Sequence, residues 1–467
     1  MIGKRDISQD PTLELFPSPD QFDDNFQAFL EEACLKLCDW FSKAEETGPL
    51  PSINDLPEVG PKFAGLSRKD LLKDLDLIMN GSFQPSHPGS LAHLDPPPLS
   101  ASIVGDLICA GLNNNLLAEE LSPSLSRLEN NLCRWIAQKI GMKTGSGGVA
   151  ASGGSLSNLM ALVLARHHSG LSTDPNAVIL VSEEAHVSIY RAIKIMGLPA
   201  EAIYKVSADN SGRLSINSLN EQIAKLKFLG HKCFCVVATA GTTIRGAVDP
   251  IDDISDFCFS EGLWLHVDAS IGGVFSLAEE TKSVVPGLSR ADSITMNPQK
   301  LLGITKTSSL LLVANTNHLS SCFSIGFPYI EPSWGSTMNG GEMGMQGTRP
   351  AEILKLWLGL RQLGHSGIQA LLVNSIERKT YFKNRINSDI FEIITGPLHL
   401  IALTPSAITK EQAAEWALST RQLLMDNKFM LSRPLLNDRY YLKAVMGNPH
   451  TQNSHLDQLS NLLNQSI

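Results

Sequence analysis

Four stretches of the chain carry residue types that could do chemistry together. Lys300 follows Asn297-Pro298-Gln299, where the proline ends the short run Ser293-Ile294-Thr295-Met296 because it cannot continue a strand ladder. Asp268 follows the apolar run Trp264-Leu265-His266-Val267. His186 comes just after Val178-Ile179-Leu180-Val181, and Ser155 ends the turn Ser152-Gly153-Gly154 and opens a helical pattern. A lysine amine is a nucleophile. An aspartate at the end of an apolar strand is buried and stays charged only if paired. Glycines let a backbone approach an anion, and a helix N-terminus binds one. Taken singly, each has an ordinary explanation, such as a solvated lysine or a serine N-cap.

Taken together, they are the parts of a site for pyridoxal 5'-phosphate. Lys300 is the candidate for the covalent link to the cofactor, Asp268 the partner of its ring nitrogen, and Gly154 and Ser155 the phosphate turn. A dinucleotide loop over Gly145, Gly147 and Ala150 is a weaker reading. That fingerprint needs a preceding strand, and Leu132 to Ile140 reads as helix.

The elements that must position these groups are legible as punctuation. Pro123 opens a helix that Gly141 closes, and helices follow Ser155, Val187 and Asp249-Pro250. Strands are expected at Val149 to Ala151, Ala177 to Val181, Tyr204 to Val206, Cys233 to Thr239, Trp264 to Val267, Ser293 to Met296 and Leu310 to Val313. Repeated strand–helix units of this size imply a mostly parallel sheet covered on both faces. A long helix begins near Ala351. Before the sheet, Phe22 to Phe41 forms one apolar helical stripe, and Ser67 and Gly81 bracket a second helix. The expected organisation is an N-terminal helical dimerisation segment over 1–95, a large domain over 96–350 and a small α+β domain over 351–467.

Composition sets the outer limits. The chain has 467 residues and a formal net charge of −9 without a Lys/Arg run, which argues against nucleic acid as a partner. No apolar stretch approaches a membrane span, and the start Met1-Ile2-Gly3-Lys4-Arg5 lacks the apolar core of a signal peptide. Among the eight cysteines, Cys34 and Cys38 lie one helical turn apart and Cys233 and Cys235 alternate on a strand. Both pairs read as buried small hydrophobes in a reducing cytoplasm. Neither cysteines nor histidines show metal-ligand spacing, so no catalytic metal is expected.

The residues also carry a resemblance. The stretches SGGSLSNLMAL, SEEAHVSIYRAIKIMG, TAGTTIRGAVDPI, WLHVDAS, DSITMNPQKLLG and LKLWLGLRQLG fall in one order from about Ser152 to Gly364. They resemble the group II pyridoxal-phosphate-dependent amino-acid decarboxylases, in the branch of the glutamate, cysteine-sulfinate and diaminobutyrate enzymes. The resemblance implies an α/β chain of the fold type I, aspartate aminotransferase-like class, working as a homodimer with sites at the interface. It implies that His186 stacks on the cofactor ring, that Thr242, Thr243 and Ser270 line the pocket, and that Asn297 and Gln299 reach the phosphate. It places the cation for the substrate carboxylate at Lys443. The implied reaction is loss of the carboxyl group of a small acidic amino acid or diaminobutyrate. Aldehyde formation at the same site, or cofactor binding without turnover, are the alternatives.

Several positions depart from the family pattern. Gln299 stands where histidine is usual, Ser270-Ile271 replace an alanine and an aromatic, and Gly89-Ser90-Leu91 replace aromatics after His87-Pro88. The stretch between Tyr329 and Arg349 has no internal tyrosine; the tyrosine that supplies a proton in the family would fall near Met338. Its loss leads to the expectation of slow decarboxylation with aldehyde or amine-cofactor by-products.

Overall fold

The computed structural model describes residues 11–52, 55–326, 334 and 339–467. The tyrosine-free stretch around Met338 lies outside the described residues. The chain divides into two compact units, one up to His87 and one from Pro88 onward.

In the first unit, α1 (Asp24–Ser42) starts where the Asp23 carboxylate accepts from the Phe26 N–H, and a short α2 (Ala44–Thr47) follows. The helix α3 (Arg68–Asn80) starts on Ser67, whose hydroxyl accepts from the Asp70 N–H. Such caps satisfy donors that the first turn leaves free, at about 1 kcal/mol each. A 2.5 Å ion pair between Lys36 and Asp76 joins α1 to α3. No residue of α1 is buried, and Leu72 is the one buried residue of α3. Cys34 and Cys38 are therefore exposed, against the expectation of burial. Two helices without a sheet behind them cannot cover a whole apolar stripe.

The second unit opens with α4 (Ser100–Leu112), which the sequence pattern does not reveal because apolar residues surround it. Then come α5 (Pro123–Ile140), β1 (Gly147–Ala151), α6 (Gly154–His168), β2 (Ala177–Ser182), α7 (Val187–Ile195) and β3 (Ile203–Val206). The alternation continues with α8 (Ile216–Leu229), β4 (Lys232–Thr239), α9 (Ile251–Glu261), β5 (Trp264–Ala269), β6 (Ser293–Met296) and β7 (Ser309–Val313). After α10 (Asn317–Phe323) comes the long α11 (Ile353–Lys383), which is broken at Gly364, where φ is 60°. The rest is β8 (Phe391–Thr395), β9 (Leu400–Pro405), α12 (Lys410–Asp426), β10 (Leu435–Leu436), β11 (Arg439–Tyr440), β12 (Leu442–Val445) and α13 (Asn453–Asn464).

Strands β1 to β7 form one sheet in the order β1-β7-β6-β5-β4-β2-β3. The pairs β2–β3, β2–β4, β4–β5 and β5–β6 are parallel, and β7 runs antiparallel to both β6 and β1. All strands but β7 therefore point the same way, and their carboxyl ends share one edge. Helices cover both faces, so β5 and β6 are buried along their whole length, with Leu265, Val267 and Ile294 all but fully buried. Each such side chain contributes about 1.5–3 kcal/mol. A second apolar core forms around the antiparallel sheet β12-β9-β8, drawing in Phe382, Trp416, Leu424 and Leu459.

Candidate active site

The carboxyl edge of the sheet gathers the sequence-predicted residues. The turn after β1 carries Gly153, Gly154 and Ser155; the loop after β2 carries His186; the turn after β4 carries Thr242 and Thr243. Asp268 is the penultimate residue of strand β5, Ser270 lies just beyond it, and Asn297 to Lys300 directly follow β6. In open α/β sheets this edge is where ligands sit.

The phosphate turn is built for close approach. Gly153 has φ 120°, a region that side chains rarely adopt, and open space faces it. At Gly154 an added Cβ would lie 2.6 Å from Asn297 Nδ2 and 3.0 Å from Ser270 Oγ, so only glycine fits. Ser155 is exposed in the first turn of α6, where backbone N–H groups are free to hold an anion. Asn297 is anchored by Ser309, whose hydroxyl donates to Asn297 Oδ1 at 2.6 Å. The Gln299 carbonyl accepts from the Ser308 N–H, which leaves its amide group as a donor.

Asp268 is buried, and burial alone would raise its carboxyl pKa. The charge of Lys300 and hydrogen bonds from Ser270 and Asn158 outweigh that effect and hold it below the ordinary aspartate value. Its Oδ2 accepts from Asn158 Nδ2 at 2.9 Å and its Oδ1 from the Ser270 N–H at 3.1 Å. Lys300 is half-buried. Burial lowers its pKa, and the carboxylates Asp268 and Asp95 partly restore it. Across from Asp268 in the β4–β5 register, the buried Thr239 Oγ1 has no partner among the described residues.

His186 is the N-cap of α7. Its Nδ1 accepts from the Ser188 N–H at 3.2 Å and lies 2.9 Å from Ser188 Oγ. Because a backbone N–H only donates, Nδ1 is the acceptor and the neutral ring carries its proton on Nε2. Burial pushes its pKa down, with Asp268 opposing and Lys300 and Arg191 assisting.

The structure places the remaining predicted residues less uniformly. Thr242 is buried, and its hydroxyl accepts from the Ala247 N–H at 3.1 Å within its own turn. Thr243 is exposed, and its carbonyl accepts from Lys443 Nζ at 3.3 Å. Lys443, on β12, is buried. Burial and the charge of Lys300 push its pKa down to about 8.

Sequence reading missed a buried polar group behind Asp268, comprising Asn158, Ser188, His266, Ser293 and Trp264. A signal was available. Side chains alternate along a strand, so His266 shares a face with Asp268. Asn158 stands one helical turn after Ser155 and shares its side of α6.

These features fit pyridoxal phosphate: a buried carboxylate for a ring nitrogen, an amine beside it, and a glycine-cleared helix N-terminus for phosphate. Comparison with known proteins agrees. Residues 62–403 match the family described as the pyridoxal-dependent decarboxylase conserved domain, and the chain belongs to that family. The chain is 30% identical over 392 residues to the acidic amino acid decarboxylase of Mus musculus, covering 79% of this chain and 71% of that one. It is 29% identical over 419 residues to the aromatic-L-amino-acid decarboxylase of Bacillus atrophaeus, covering 87% and 86%. The fold matches the crystal structure of mouse CSAD with a TM-score of 0.88 at 24% identity, over 95% and 99% of the two chains. The protein is a pyridoxal-phosphate-dependent amino-acid decarboxylase. No helix among the described residues is long and apolar enough to cross a membrane.

Proposed function

We propose that this chain removes the carboxyl group of a small acidic L-amino acid, as a cytoplasmic homodimer. Lys300 anchors the cofactor, Asp268 pairs with its ring nitrogen, His186 stacks on the ring, and Lys443 holds the substrate carboxylate. Gly154, Ser155, Asn297 and Gln299 hold the phosphate, with Thr242, Thr243 and Ser270 as the surrounding wall. The observation that carries this reading is the buried Asp268 carboxylate, which accepts from Asn158 Nδ2 and the Ser270 N–H at the strand end next to the one that Lys300 follows.

When bound, the cofactor supplies an electron sink for the pair left behind as carbon dioxide departs. Asp268, unable to take up a proton easily, keeps the ring nitrogen protonated. Burial of Lys300 raises the fraction of free amine available as nucleophile. Lys443 offers a desolvated positive charge, which attracts a carboxylate more strongly than a solvated one would. It thereby orients the bond that breaks. His186 presents Nε2–H as a donor towards the ring. The acidic substrate rests on the mouse relative that acts on acidic amino acids. The dimer rests on the apolar residues Phe22, Phe26 and Leu35 left exposed on the N-terminal unit.

The test is carbon dioxide release across a panel of acidic, aromatic and diamino L-amino acids, with product identification. Release from aspartate, glutamate or cysteine sulfinate at the highest kcat/KM is the expected result. A preference for aromatic or diamino substrates overturns the substrate class.

A further inference from the structure

Behind Asp268 a run of hydrogen bonds links Trp264, Ser293, His266 and Asn158 to the Asp268 carboxylate. Asp268 is charged and accepts only, so the Asn158 side chain must turn its Nδ2 towards Asp268 Oδ2, at 2.9 Å. The second Nδ2 hydrogen goes to Ser188 Oγ, also at 2.9 Å. Ser188 Oγ in turn donates to His186 Nδ1. With both amide hydrogens spent, Asn158 Oδ1 faces His266 Nε2 at 3.1 Å, and this nitrogen must donate. His266 Nδ1 is then an acceptor for the Ser293 hydroxyl at 2.9 Å. Ser293 Oγ accepts from Trp264 Nε1–H at 2.8 Å. Trp264 is a donor only, so Ser293 Oγ accepts from it and keeps its own hydrogen to give to His266 Nδ1. Asn158, Ser188, His266 and Ser293 are all buried, so water does not compete for these bonds.

We propose that Asn158, oriented by His266, is a positioning residue that sets both groups expected to touch the cofactor ring. One amide nitrogen fixes Asp268 as an ionised acceptor, and through Ser188 it fixes the His186 tautomer that leaves Nε2–H as donor. A reversed Asn158 would place its oxygen against the Asp268 carboxylate. His266 and Ser293 oppose that reversal: among the described residues Asn158 Oδ1 is the acceptor facing His266 Nε2–H, and the other His266 tautomer would leave the Ser293 hydroxyl hydrogen without its acceptor, His266 Nδ1. Burial holds His266 neutral, with its pKa pushed down to about 4, so one nitrogen donates and the other accepts throughout the neutral range.

The inference rests on the assignment of Asp268 to the ring nitrogen. It is tested on the full-length holoenzyme loaded with cofactor labelled with nitrogen-15 in the ring, whose NMR shift reports whether that nitrogen is protonated. Asn158→Leu removes the donor to Asp268 without adding a charge. His266→Gln keeps a donor for Asn158 Oδ1, and His266→Phe does not. The expected result is a protonated nitrogen in the native protein and His266→Gln, with a shift towards the neutral ring in His266→Phe and Asn158→Leu. Cofactor affinity should weaken roughly ten- to hundredfold in the latter two, the loss expected for a hydrogen bond to a charged group.

Leucine at a buried polar position can prevent folding, so the two His266 variants carry the decision if Asn158→Leu fails to fold. Equal ring-nitrogen shifts in His266→Gln and His266→Phe overturn the proposal. A neutral ring nitrogen in the native protein instead overturns the Asp268 assignment beneath it.

Discussion

Asp268 on β5 pairs in register with Thr295 on β6, which places the carboxylate and the Lys300 loop at neighbouring strand ends. The Asp268 N–H and C=O are held by the ladder, and Ala240 N–H donates to its carbonyl at 3.0 Å. Its buried carboxylate is held in turn by Asn158 Nδ2 and the Ser270 N–H. Asp268→Asn keeps the size and removes the charge. Turnover should fall by roughly a hundredfold or more, as when a group stabilising transition-state charge is lost. Cofactor retention, measured by gel filtration and absorbance, should change much less. Turnover within a few-fold of the native value would remove Asp268 from its assigned role.

Lys443 gives a pH prediction with a defined sign. Its free-protein pKa is lowered to about 8, so its charge is present below that pH and is lost as pH rises through it. Because kcat/KM reports the free enzyme, it should decline above about pH 8. Lys443→Arg keeps the charge at higher pH and should move that decline upward. Lys443→Met should raise KM roughly tenfold or more. An unchanged KM in Lys443→Met would assign the carboxylate to another cation.

His266 makes a separate statement about stability. Its pKa is lowered from 6.5 in the unfolded chain to about 4 in the folded one. Between those values the unfolded chain binds the proton and the folded one does not, so stability rises with pH there. Stability is fully present above about pH 6.5 and is lost on acidification towards pH 4, by about 3 kcal/mol. Asp268 acts in a lower window, because its pKa is depressed below 3.8 and its contribution is lost only as pH falls past that value. Urea unfolding of the apoprotein at pH 7, 5.5 and 4 checks this. His266→Gln should flatten the profile between pH 6.5 and 4, and an unchanged slope would show that other groups set it.

Much of the large sheet was legible because proline, glycine and β-branched runs punctuate it. Pro123, Gly141 and Asp249-Pro250 mark helix ends that α5 and α9 reproduce. The helix α4 was not legible, since an apolar sequence without periodicity gives no face to read. Exposure of Cys34 and Cys38 was not legible either, because a helical stripe announces an apolar face without saying what covers it. The sequence placed Lys300, Asp268, His186 and Ser155 at strand ends, and the fold brings those ends to one edge. Asn158 escaped notice because a polar residue inside an amphipathic helix resembles a solvent-facing one. Its role depends on β5, 110 residues away.

The N-terminal unit gives a prediction about assembly. Phe22, Phe26 and Leu35 are exposed there, an apolar surface that in solution calls for cover. Sedimentation of the holoenzyme should give a homodimer, and removal of the residues before Pro85 should cause aggregation. A monodisperse, active monomer would contradict this.

The central claim is that Lys300 carries the cofactor, and one measurement addresses it directly. The purified holoenzyme is reduced with borohydride, digested, and mapped by mass spectrometry. The account predicts a single pyridoxyl-phosphate adduct on the peptide containing Lys300, absent in Lys300→Ala. An adduct on Lys443 or on any other lysine, or none in a protein that binds the cofactor, would contradict it.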